Sequence, residues 1–94
     1  MKIILTQFFI SDLDSQVSYI SKDKPEAAKK FKKDLIRNLK KDLKNPFHFK
    51  KSHYFDDDLI RDYIFKGYTS VFQINTINNT IEVFGFIKYK ETFQ

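Results

Sequence analysis

Between Asp23 and Pro46 the chain reads DKPEAAKKFKKDLIRNLKKDLKNP, and this stretch decides the fold. Pro25 suits the first turn of a helix, where its missing N–H costs nothing, and Asp23 and Glu26 suit the positive end of the helix dipole. Asn45-Pro46 is a stop signal. Between these limits Ala28, Phe31, Leu35, Leu39 and Leu43 recur at helical spacing, so one side of the helix is dry. At about 100° per residue, Lys29, Lys33, Arg37, Lys40 and Lys44 fall within an arc of roughly 80° on the side away from that stripe. The spacing predicts a long helix with one apolar face, which needs a second layer to cover it, and one strongly basic face.

Toward the N-terminus, Lys2 to Phe9 is a largely apolar stretch rich in Ile and Phe, short enough to read as a largely buried strand. Ser11 then reads as the cap of a first helix, with Asp12 and Asp14 near its positive end and Leu13, Val17 and Ile20 along its apolar side; this helix is expected to end near Lys22. Toward the C-terminus, residues 47 to 59 mix His, Lys and aromatics before the run Asp56-Asp57-Asp58 and read as a loop with at most one short strand. Three β-rich stretches follow, Ile60 to Phe65, Tyr68 to Ile74 and Thr80 to Ile87, separated by the turn sequences Lys66-Gly67 and Asn78-Asn79. The expectation is an α+β fold in one domain spanning 1–94: β-α-α-β-β-β, a helical hairpin on a mainly antiparallel four-stranded sheet. Alternation along the strands should set Tyr68, Phe72 and Phe84 against the helices rather than in a binding site.

Composition narrows the function classes. The chain has no Cys, which excludes disulfides and thiolate metal sites and fits a reducing cytoplasm. Its apolar runs fall short of the roughly 20 residues a membrane helix requires, and no cleavage-site pattern follows Met1-Lys2. The Asp56-Asp57-Asp58 run lacks the ligand spacing of a cation cage, so neither a metal nor a cofactor is expected. A net charge of +5, with Lys dominating the excess, favours anionic partners, or simply a solubilising surface.

The order of elements, together with three motifs, resembles the RelE/ParE superfamily of type II toxin–antitoxin toxins. Pro25-Glu26-Ala27-Ala28-Lys29-Lys30-Phe31 is similar to the family's opening of the second helix, and Leu43-Lys44-Asn45-Pro46 to its close. Gly67-Tyr68-Thr69-Ser70-Val71-Phe72-Gln73-Ile74 is similar to the signature strand, with Thr69 standing where the family pattern has Arg. The tail Lys88-Tyr89-Lys90-Glu91-Thr92-Phe93 also departs from the Arg- or His-bearing tail of the family's ribonucleases.

The resemblance implies a cognate antitoxin encoded by an adjacent gene, and a target that is either the ribosome with its mRNA or DNA gyrase. A metal-independent endoribonuclease must take the 2′ proton, stabilise charge on the phosphate and protonate the departing oxygen. Candidates are Lys50, Lys51 and His53 for proton transfer, the last having a suitable unperturbed pKa unless lysine repulsion lowers a neighbour's. Arg61 or Lys90 would clamp the phosphate, Lys88 would support it, and Tyr89 or Phe93 would stack on a base. The basic face, Lys29, Lys33, Arg37, Lys40 and Lys44, would hold RNA or an acidic partner. Read structurally, His53 is a solvated loop residue and Arg61 and Asp62 pair across strands. The ribonuclease is the preferred reading because the Lys and His groups flank the family's site; a non-enzymatic gyrase inhibitor, favoured by Thr69 and by the lack of a strong acid–base set, stands beside it, as does an inactive antitoxin-binding relative.

Overall fold

The computed structural model describes residues 1–88. Strand β1 (Lys2–Leu5) leads into helix α1 (Gln7–Ser21), then helix α2 (Pro25–Asp42), a single 3-10 turn (Pro46–His48), and strands β2 (Ile60–Phe65), β3 (Tyr68–Asn75) and β4 (Thr80–Lys88). The sheet order is β1-β4-β3-β2. The last three strands form an antiparallel meander, while β1 runs parallel to β4 and pairs Ile3 with Ile81 and Leu5 with Val83. A parallel pair needs a crossover between its strands, and the helical hairpin supplies one face of it.

The first strand is shorter than expected and the first helix starts earlier. Thr6, not Ser11, is the N-cap: its hydroxyl accepts from the Phe9 N–H at 3.3 Å while its own N–H donates to the Val83 carbonyl at 3.0 Å. Phe8, Phe9 and Ile10 are helical, which explains why Phe9 is fully buried beside Leu13 while Phe8 is 76% exposed. Asp12 and Asp14 consequently lie beyond the first turn, which contains no acid. Instead, Asp14 accepts a 2.6 Å hydrogen bond from Lys32 and ties α1 to α2.

Helix α2 begins at Pro25 as expected but ends at Asp42, so that Leu43 caps it and Lys44 lies just past the regular helix. Its stripe of Phe31, Leu35 and Leu39, continued by Leu43, packs with Phe9 and Leu13 of α1 onto Tyr63, Phe72, Ile74, Ile81 and Val83 of the sheet. Two polar contacts fix the layers. Tyr63 donates its hydroxyl to Asp42 at 2.7 Å, and Gln16 donates to the Tyr68 hydroxyl at 3.0 Å.

The β2–β3 turn has Lys66 at φ 49° and Gly67 at φ 83°, the doubly positive geometry that a two-residue hairpin with the native twist requires. Between β3 and β4 the register shifts: Phe72 faces Val83 but Val71 faces Gly85, leaving Phe84 as the extra residue. Tyr68 and Phe72 lie against the helices as expected, Tyr68 between Phe31 and Phe86. Phe84 does not; it packs edge-on against Phe55 of the loop at 5.6 Å between centroids. A Cβ on Gly85 would come within 3.3 Å of Val71 Cβ, so this narrow position admits no larger residue without movement.

Candidate functional site

The central loop returns along the outer edge of β2. Ser52 N–H donates to the Ile60 carbonyl at 2.7 Å and Asp62 N–H to the Lys50 carbonyl at 3.1 Å, setting Lys51 opposite Arg61 in an antiparallel bridge. This is the short strand-like piece expected within residues 47–59. A recess of about 480 Å³ opens beside it, lined by His48, Phe49, Lys50, Lys51, His53, Asp62 and Ile64.

One cation of this recess is committed. Lys51 donates to Asp56 at 2.9 Å and lies 3.6 Å from Asp58. The hydrogen bond and charge of Asp56 push the Lys51 ammonium above its ordinary value, the reverse of the lowering by lysine repulsion that a neutral base would need. Lys51 therefore holds its proton more firmly than a free lysine.

Arg61 is occupied as well. Its Nε–H donates to the Asp58 carbonyl at 2.9 Å, and one terminal nitrogen donates to the carbonyls of Phe49 at 2.8 Å and Phe47 at 3.3 Å. The guanidinium lies 5.4 Å from the centroid of the Phe47 ring. It thereby pins both ends of the loop. The expected pairing of Arg61 and Asp62 with charges across neighbouring strands is absent among the described residues, where neither takes part in an ion pair. Asp62 accepts from the His53 N–H at 3.1 Å, and its second carboxylate oxygen is buried without a partner.

His53 is exposed, with its ring edge-on to Tyr54 at 5.6 Å. Lys50 and His53 share the recess. Lys88 does not join them: it pairs with Tyr68 across the sheet and its ammonium lies 6.0 Å from the Tyr19 ring of α1, which places it on the helix-bearing side. Tyr89, Lys90 and Phe93 lie outside the described residues. Thr69, at the signature position, is only 3% exposed, so this position carries no charged group toward a substrate.

Lys29, Lys33, Arg37, Lys40 and Lys44 are all exposed, as the arc predicts. Arg37 is held at 2.9 Å by Asp34, which also accepts from Lys30 at 3.0 Å. That Lys30 hydrogen bond holds the Asp34 carboxyl below its ordinary value, against the opposing effect of burial and with help from the charges of Lys30, Arg37 and Lys66.

The profile of the family described as the ParE toxin of type II toxin–antitoxin system, parDE, matches residues 3–93. The chain belongs to the ParE toxin family. Among solved structures, a chromosomal ParDE toxin–antitoxin system from P. aeruginosa superposes with a TM-score of 0.74 at 16% identity, covering 94% of this chain and 95% of that one. This likeness supports the fold. Comparison with curated proteins gives no match. As a ParE-family toxin, the chain is one half of a type II pair whose other half is a cognate antitoxin. No helix among the described residues is long and apolar enough to cross a membrane.

Asp62 and His48 escape a reading by residue type because neither belongs to a recognisable motif. Alternation along β2 is the signal that separates Asp62 from Arg61, and only the loop's return along that strand brings His48, Lys50 and His53 beside it. This ParE toxin thus assembles its recess within residues 48–64, by folding the loop back on β2, as the bond between His53 and Asp62 illustrates.

Proposed function

We propose that this toxin arrests growth without cutting RNA, by inhibiting DNA gyrase, and that its antitoxin relieves that inhibition. The observation that carries the reading is that Lys51 and Arg61 are occupied, Lys88 is set apart from them and Thr69 is buried. Lys51 is paired with two carboxylates, Arg61 is committed to backbone carbonyls, Lys88 lies on the far side of the sheet, and a buried Thr69 stands at the signature position. General acid–base catalysis needs its groups converging within hydrogen-bond reach of one reacting centre. The family match, to ParE toxins, supports the same choice.

One observation favours the ribonuclease reading: Lys50, Lys51 and His53 line a common recess. The two separate in one experiment. Purified full-length toxin is added to gyrase supercoiling and DNA-cleavage reactions, and in parallel to programmed ribosomes carrying labelled mRNA. Gyrase inhibition with intact transcripts is expected, together with undiminished growth arrest by Lys50→Ala, Lys51→Ala and His53→Ala. Cleavage at ribosome-bound codons with gyrase unaffected would overturn the proposal.

A further inference from the structure

We infer that the outer face of α2 binds the phosphate backbone of double-stranded DNA without regard to sequence. The face is built by where the helix puts its acids. Glu26 is exposed at the N-terminus, but Asp34 is buried between Lys30 and Arg37, and Asp42 is turned inward to the Tyr63 hydroxyl. Beyond the first turn the outward side therefore carries cations with no acid among them. Among the described residues, Lys29, Lys33, Lys40 and Lys41 take part in no ion pair, and all four are exposed. At 1.5 Å and about 100° per residue, Lys29, Lys33 and Lys40 fall within about 40° of one another along roughly 16 Å of a rigid support, and Lys41 flanks them about 80° or more to one side.

Three features select the occupant. Single-stranded nucleic acid is held by aromatic platforms interleaved with charge, and none of the exposed large apolar or aromatic side chains lies on α2. An acidic protein segment that folds on binding must bury apolar anchors to offset its ordering, and the same observation removes those. Planar bidentate base readout uses Arg, Asn or Gln at the groove, whereas Lys meets an acceptor chiefly as a point charge. On α2, however, Arg37 is held by Asp34 and the Asn38 amide donates to the Asp34 carbonyl at 2.8 Å. What is left is a row of lysine point charges, suited to the phosphates of a stiff duplex. The inference goes beyond the gyrase reading, because binding is measured with no gyrase present.

The test is fluorescence anisotropy of the full chain with a labelled 20-base-pair DNA duplex of random sequence. If four lysines each displace a counterion, affinity should fall by roughly 100-fold between 50 and 200 mM salt. Lys33→Glu with Lys40→Glu should weaken binding at least tenfold at low salt and flatten the salt slope by about two. Lys2→Glu with Lys22→Glu, an equal change of charge on other exposed positions, should retain most of the affinity. Circular dichroism and thermal melts confirm that both variants are folded. Equal weakening by both pairs, salt-insensitive binding, or tighter binding of single-stranded DNA, duplex RNA or polyglutamate would each overturn the inference.

Discussion

Single side chains bind the layers together, and two of them make this measurable. The Tyr63 hydroxyl is buried and donates to Asp42; burial first, then that bond and the charge of Asp42, push its pKa above the ordinary phenol value. Tyr63→Phe removes the donor and leaves a half-buried carboxylate short of a partner, so it should cost about 1–2 kcal/mol in urea denaturation. An unchanged midpoint would mean that water replaces the phenol freely. Asp34 makes the opposite kind of prediction. Because Lys30 lowers its pKa below 3.8, its contribution is complete above that value and is lost as pH falls through the lowered folded value. Asp34→Asn should therefore be less stable than the parent at pH 7 and should lose less stability on acidification through that window. Parallel acid-unfolding curves for parent and variant would contradict this.

At the scale of elements, the legible parts were those whose signals are local. Pro25 marks the start of α2 to the residue, and its apolar stripe is the buried stripe. Lys66-Gly67 marks the tight hairpin because positive φ at both positions is a property of the turn itself. Gly67 is free of contacts within 4 Å of an added Cβ, so Gly67→Ala isolates the backbone strain and should cost about 1 kcal/mol by thermal melting, with no change in the core. Loss of the whole fold in that variant would show that the turn has another partner. The boundary between β1 and α1 is not legible locally because Phe8-Phe9-Ile10 is too short for its period to show, and the choice between Thr6 and Ser11 as cap rests on the pairing of Thr6 with Val83, a contact across 77 positions of sequence. The site was harder to read for the same reason. Residue type found Lys50, Lys51 and His53, but nothing local shows that Asp56 and Asp58 hold Lys51, that Arg61 reaches Phe47 and Phe49, or that a bulge turns Phe84 toward Phe55.

Across the whole molecule, a formal charge of +5 is spread unevenly, and the unevenness should be visible in stability. Lys29 with Lys33, Lys33 with Arg37 and Arg37 with Lys41 are like-charge neighbours one turn apart on an exposed face, each pair costing about 0.2–0.5 kcal/mol at low ionic strength. The attractive pairs, such as Lys32 with Asp14 and Lys51 with Asp56, are also screened by salt, but each involves at least one well-exposed partner and contributes little in water. Repulsion therefore dominates the response, and with a Debye length of about 10 Å at 0.1 M it is largely removed by ordinary salt. For a domain of this size, relief of about 1 kcal/mol corresponds to roughly 4–8 °C in Tm. Raising sodium chloride from 20 to 300 mM should accordingly raise the melting temperature by several degrees. Lys33→Glu with Lys40→Glu, which converts repulsive neighbours into attractive ones, should start higher and gain much less. A melting temperature that stays flat or falls with salt in the parent chain would mean that its ion pairs outweigh the lysine face, and would place the dominant charge interactions at Asp34 and the 50–58 loop instead.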